Sequence, residues 1–465
     1  MRIFLLFLLV GIGAAAPAHA AIPPAAFDTL DRDAVTAYRQ HDYPRMQNLL
    51  EQALVQRPLQ PRLLYNLAAA QALQHHAEPA LELLARLERM KLSYKLDADH
   101  DFDAIRNDPR FTALAAKFTA HGEPRGDAEF AFSGGVARFI PEGIAYDKRS
   151  DSFYLSSVHE RRILRFDSVY ERHPMVDEGR DGLWSAMGMA VEYAKKRLWV
   201  ASAALPEMTD YTEADRGKSG IFAFSTLSGS LRKKFLLPPD GHDHALGNIL
   251  LDDKGSQIYV SDSLAGALYR LDREDGGYTT LLAPGSLVSA TGLAFDHAGT
   301  GLYLADYAQG LYHYDLLTRQ LTKLGAPDDI CLYGIDSLYF YKDTLVAIQN
   351  GISPNRVVRL TLSADGRAVS GMQVLVSNHE KFDEPTKGVI IGSRFYFIAN
   401  SQWNRIIDHH VPAEDELQRP VVLKLKLDDS GGDVRHPLDR SSMIDPTPGT
   451  TQQVAPAGRL PLIGR

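Results

Sequence analysis

The chain has a single cysteine, Cys331, in 465 residues, so no disulfide can form within it. Stability has to come from packing, which excludes a small disulfide-stapled scaffold. Glycine-rich phosphate loops, a GxSxG elbow and CxxC pairs are all missing, and with them the commonest signatures of nucleotide binding, serine hydrolysis and thiol redox chemistry. Positive charge is in slight deficit: 50 Lys and Arg against 58 Asp and Glu leave a net charge of −8, with no basic stripe. Nucleic acid and anionic membrane surfaces are therefore not expected partners. Long apolar runs are scarce too, and the longest lies in the first twenty residues. Arg2, the run IFLLFLLVGIGAAA and the small-residue site AHA (Ala18 to Ala20) form the pattern of a secretory signal peptide, residues 1–20. The competing reading, a membrane anchor, is opposed by the shortness of the run and by Pro17. No Cys stands near the cleavage site, so a lipoprotein anchor is excluded. The expected location is periplasmic or secreted, with no membrane association after cleavage.

Beyond the signal peptide the hydrophobic pattern has two periods. Residues 26–120 read as helices: Val35, Tyr38, Met46, Leu49, Leu50, Ala53 and Leu54 recur at spacings of three and four. LLYNLAAAQALQHHAEPALELLARLERM repeats the design with a break near His75 to Glu78, and Asp108-Pro109 can start a last helix. Helix pairs of this kind resemble the tetratricopeptide repeat, which implies a concave surface for a peptide or protein partner. A plain helical bundle capping the next domain is the alternative.

After HGEPRGD the period becomes alternating, and residues 128–428 repeat a strand unit six times. First strands are GIAYD, GMAVEY, NILLDD, GLAFD, GIDSLYF and GVIIG; second strands centre on Tyr154, Trp199, Tyr259, Tyr303, Leu345 and Tyr396. Third strands such as ALYRLD and GLYHYD complete each unit. The spacing predicts an all-β six-bladed propeller rather than a sandwich. DAEFAFSGGVARF can supply the outer strand of the last blade and close the ring. The fold class is therefore α+β multidomain, a helical repeat followed by a propeller. Residues 429–465, rich in Pro, Gly, Ser and Thr, read as a flexible tail.

PEGIAYD, GNILLDDKGSQIYVSDSLAGALYRLD and TGLAFDHAGTGLYLAD resemble the gluconolactonase and senescence-marker-protein superfamily, whose relatives include strictosidine-synthase-like, paraoxonase and NHL-repeat propellers. The resemblance covers residues 128–428 and rests on blade signatures, which specify fold better than activity. It implies one divalent cation, calcium or zinc, at the channel centre, held by acidic or amide residues just before the first strands. Glu142 stands at such a position, with Asn248 displaced by one residue and Asp336 by three. The equivalent positions in the other blades carry Met187, Gly247, Thr291, Tyr333 and Lys387, and a lysine beside an ion opposes its binding.

Other chemistry on the loop-rich face is drawn from His–carboxylate pairings. His244 and His379 are candidate general bases. Glu384, in FDEPTKGV, is the position a strictosidine-synthase-like condensation would need. His242, Asp243 and His244 could also hold zinc. His159, His242, Asp243 and, in the insertion PEMTDYTEADRGKSG, Asp210 and Tyr211 are candidate ligand contacts; that insertion reads as the one long polar loop of the ring. Against all of these stands the reading that they are solvated loop residues. Two functions are compatible with these features. One is an exported protein that binds a small ligand at the propeller face and a peptide or protein through its helices. The other is a metal-dependent lactonase or esterase.

Overall fold

The computed structural model of the chain describes residues 24–252 and 256–428. The expected signal peptide and C-terminal tail lie outside the described residues.

Five α-helices come first: α1 (Pro24–Arg39), α2 (Tyr43–Gln56), α3 (Pro61–Leu73), α4 (Ala77–Arg89) and α5 (Pro109–His121). Prolines open α2, α3 and α5, where a missing N–H costs nothing. Asp42, Gln60 and Asp108 cap them by accepting backbone N–H groups at 3.2, 2.7 and 2.8 Å. The expected break at His75 falls between α3 and α4. Each helix packs on the next. Their apolar faces form two clusters, one around Phe27, Leu50 and Leu63 and one around Leu84, Phe102, Phe111 and Phe118.

The second cluster does not end with the helices. Cys331, Tyr333 and Ile352 of the β region complete it. Ser93 donates its N–H to the Ser353 carbonyl at 2.7 Å, and the buried Arg356 guanidinium reaches the Met90 carbonyl at 3.3 Å. The helices are thus packed onto the propeller.

Among the described residues the β region comprises six antiparallel sheets in a ring. The inner strands are Pro141–Asp147, Ser185–Glu192, Leu246–Leu251, Ala290–Phe295, Ile335–Tyr341 and Gly388–Ile391, starting blades 1 to 6. Five sheets take their strands in chain order. The sixth is completed by Glu129–Ser133, from before blade 1, which pairs with Val421–Lys426. This closure removes the open edge between first and last blades. The linker strand Arg125–Gly126 adds a short fifth strand to blade 5.

The repeated glycine of the inner strands has a steric cause. A Cβ on Gly143 would come within 2.2 Å of the Met187 carbonyl of blade 2, and one on Gly188 within 2.4 Å of the Gly247 carbonyl of blade 3. Neighbouring blades approach backbone to backbone here, and only glycine fits. Hydroxyls stitch the same level. Ser156 donates to Met187 O, Ser261 to Thr291 O and Thr291 to Ile335 O, each at 2.7 Å, and Ser337 to Thr386 O at 3.1 Å. The central aromatics pack between sheets: Tyr154 and Trp199 are fully buried. Asp262 and Asp306 end their strands by accepting the N–H groups of Ala265 and Ala308, so these carboxylates shape turns.

Candidate functional site

In each sheet the start of the inner strand lies beside the end of the second: Pro141 pairs with Ser157 and Ile335 with Gln349. The residues before Glu142 and Lys387 therefore share one face with the loops after the second strands. Tyr333 and Ile352 belong to that face, so the helices sit on it over blade 5.

Two long loops cover the rest. The insertion of blade 2 is an ordered structure, with Leu205 and Met208 buried and a helical turn at Glu213–Asp215. It is not alone. The segment 399–420 of blade 6 is longer still, correcting the expectation of one long polar loop. It leaves its own blade: Trp403, Ile406, Val411 and Leu417 pack with Ile140, Val158, Met187, Leu205 and Ala245 of blades 1 to 3. Hydrophobic side chains on a polar loop are the physical reason it crosses the mouth instead of standing in solvent. The two loops meet where His409 Nδ1 lies 2.6 Å from Glu207 Oε1.

Beneath this lid lies a buried charge network. The Lys387 ammonium donates to Glu142 Oε1, with both side chains almost wholly buried. Glu142 Oε2 accepts the Trp403 indole N–H at 3.0 Å and the Thr386 hydroxyl at 3.4 Å. Thr386 lies as close as 2.9 Å to Asp336 Oδ2. Burial pushes the Asp336 carboxyl up, Lys387 pulls it back and Glu142 adds to the rise. The Lys387 ammonium is opposed by burial, but Glu142 and Asp336 overcome this and raise it above its ordinary value. Lys387 is protonated throughout the physiological range.

Glu384 stands beside this network, with the N–H of Asn404 donating to its Oε2 at 2.5 Å. Burial, reinforced by Asp336, Glu142 and Asp383, lifts its carboxyl to about 7. Nearby Tyr307 donates to Asn350 Oδ1 at 3.0 Å, and burial followed by the charges of Glu384 and Asp336 holds its hydroxyl protonated. The lid is pinned to the same corner by Arg405, which reaches Asp383 at 2.6 Å.

The remaining sequence candidates are distributed over the face. His159 is buried with Nδ1 2.6 Å from the Glu207 carbonyl, and burial lowers its pKa. Arg161 pairs with Asp210 at 2.7 Å, and Arg216 with Asp243 at 2.8 Å. Tyr211 is half-buried in the insertion. His242 lies 3.1 Å from Asp240. His244 is enclosed: its Nδ1 lies 2.7 Å from Asp262 and its Nε2 2.9 Å from Asp240. Burial disfavours its charge, but the two carboxylates outweigh this and raise its pKa. With both nitrogens engaged, His244 works in this arrangement as a clamp between loop and strand. His379 Nδ1 accepts the Lys381 N–H and its ring rests on Phe382. His244, His379 and Glu384 thus have separate partners.

Of the three candidate cation ligands, Glu142 and Asp336 meet through Thr386. Asn248 is half-buried in blade 3, where its backbone N–H donates to Ser261. As arranged, the residues do not fit a resident divalent ion. The lysine amine takes the Glu142 oxygen such an ion would need, and a hard cation wants six to eight oxygens. Trp403 and Thr386 were not legible as site residues. The signal for Trp403 was the long gap between the second and third strands of blade 6.

Fold and site together define a six-bladed β-propeller whose axis is neutralised by its own lysine beneath a lid. No family model and no curated protein sequence matches the chain. Solved structures do resemble it. Regucalcin, a calcium-binding protein from Agrobacterium tumefaciens, is 16% identical over 64% of this chain and 95% of its own, with a TM-score of 0.45. A gluconolactonase from Xanthomonas campestris is 14% identical over 65% and 98%, with a TM-score of 0.42. The PQQ-bound aldose sugar dehydrogenase from Streptomyces coelicolor is 14% identical over 65% and 99%, with a TM-score of 0.45. At such identities the likeness concerns the fold alone.

Proposed function

We propose that this chain is an exported recognition protein, in which the lidded propeller face binds a small polar ligand and the helices bind a peptide or protein partner. The observation that carries this reading is the Lys387–Glu142 pair. An ammonium that neutralises the axial carboxylate stands in for the positive charge a catalytic cation would provide, yet, unlike a metal ion, offers no coordination position at which water is activated. The paired groups around the mouth, Arg161 with Asp210, Arg216 with Asp243 and Arg405 with Asp383, offer charge-assisted hydrogen bonds to a polar ligand. Metal analysis of gently purified protein, with turnover assays on lactones and esters, tests the reading. The expected result is no stoichiometric calcium or zinc and no turnover. Hydrolysis abolished by Glu142→Gln would overturn it.

A second reading is a hydrolase of the gluconolactonase type. It is favoured by two carboxylates, Glu142 and Asp336, converging on Thr386, and by Glu384, whose carboxyl near 7 suits a general base. It requires Lys387 to leave the axis, and it predicts one tightly bound divalent ion per chain.

A further inference from the structure

The face opposite the lid carries a separate feature. Where the hairpins of blades 1 and 6 meet, a cavity of about 200 Å³ is lined by Tyr146, Phe153, Tyr170 and Tyr396, with Asp151 and Asp167 among its walls. One liquid water occupies ~30 Å³, so the space suits a small organic group. Phe153 sits at the centre of the rings. Its centroid lies 4.9 Å from that of Tyr146, 6.1 Å from Tyr170 and 5.0 Å from Tyr396, and the planes are tilted by 50°, 38° and 46°. Tilted rings around one space present faces as well as edges to it, and aromatic faces are negative. Tyr170 is held there at a cost. Its φ of 62° is unfavourable for an aromatic residue, and its ring stacks on Phe132 at 4.9 Å.

The charges point the same way. Asp151 is exposed at the rim and accepts the Tyr146 hydroxyl at 2.6 Å, which fixes its carboxylate beside the rings. Asp167 adds a second carboxylate, tied to its turn by the N–H groups of Val169 and Glu171 and lying 2.9 Å from His173. The opposing positive groups are His173 and the exposed Arg394, which acts on Tyr170. A cavity with aromatic walls and carboxylates is complementary to a soft, weakly hydrated cation.

We propose that this cavity binds a methylated ammonium group. Its methyls would lie against the part-exposed rings of Tyr146, Tyr170 and Tyr396, which pack around the buried Phe153, and its charge beside Asp151 and Asp167. A free solute and a choline lipid present the same head group. The other occupant these acids could attract is a divalent metal, since ligand atoms of Asp167, Glu171 and His173 lie within 4.8 Å of one another.

The experiment is calorimetric titration of the full chain with choline, with its neutral isostere 3,3-dimethylbutanol and with zinc, alongside pelleting with phosphatidylcholine vesicles. Choline should bind, and the neutral isostere should bind at least about tenfold more weakly. Asp151→Asn, an exposed change that leaves the fold intact, should weaken choline about three- to tenfold, and Tyr396→Leu by a similar factor. Pelleting lost in Asp151→Asn identifies a lipid source, and choline binding without pelleting identifies a free solute. Equal affinity for the isostere, zinc binding without choline binding, or affinity unchanged in Asp151→Asn overturns the proposal.

Discussion

Replacing Lys387 with methionine should expose the energetic logic of the axis. Both members of the Lys387–Glu142 pair are 6–7% exposed, so the loss leaves Glu142, and Asp336 behind it, buried without a counter-charge. Removing one partner of a buried pair costs about 3–5 kcal/mol. For a protein of this size that lowers the thermal midpoint by roughly 3–6 °C. The cost should depend on pH with a definite sign. Lys387, raised above its ordinary value, contributes fully at neutrality and loses its effect only in strong alkali. The deficit of Lys387→Met should instead shrink on acidification, as the stranded carboxylates take up protons. Thermal unfolding followed by circular dichroism from pH 4 to 8 reads both effects. The double variant Glu142→Gln, Lys387→Met should recover part of the loss. A loss below about 1 kcal/mol, or a double variant no better than Lys387→Met, would refute the assignment of Lys387 as internal counter-ion.

Glu384 titrates near 7 when folded and near 4.3 when unfolded, so the native state binds the extra proton between those values. Stability should rise by roughly 3 kcal/mol as pH falls from 8 to 5. Glu384→Gln should be the more stable protein at pH 8 and show a flatter profile in urea titrations; an unchanged slope would contradict the burial of this carboxyl. Trp403→Phe removes the indole donor to Glu142 and should cost about 1–3 kcal/mol. It should also speed proteolysis within residues 404–416, and digestion at the parental rate would argue against a lid held by this bond. Deleting residues 127–135 should collapse the cooperative unfolding transition because it strips blade 6 of its outer strand, whereas Phe130→Thr, at an exposed position, should leave the transition intact.

The ring was legible because its physics is local and repeated. Alternation marked the strands, and contact between adjacent inner strands forced glycine at Gly143 and Gly188. The closing strand was legible from its pattern as well. Two helix boundaries could be placed, at His75, whose backbone is left-handed, and at Asp108, which caps the last helix. The site was harder to read. Glu142 was singled out and Lys387 was seen as a charge hostile to an ion, but the pairing of residues so distant along the chain is a property of ring closure. Trp403 escaped because its function is to cross from one blade to others, and no periodicity encodes that.

Phe130 pairs with Leu423 although almost the whole propeller lies between them. The last sheet therefore cannot be completed until the final blade has been synthesised, and the five earlier sheets must wait, unlatched, for the chain's far end. An early strand that can find its partner only at the end of synthesis makes the circle a check on chain completeness. A prematurely terminated copy would retain a bare ribbon at Glu129–Ser133, exposed to whatever strand it meets first.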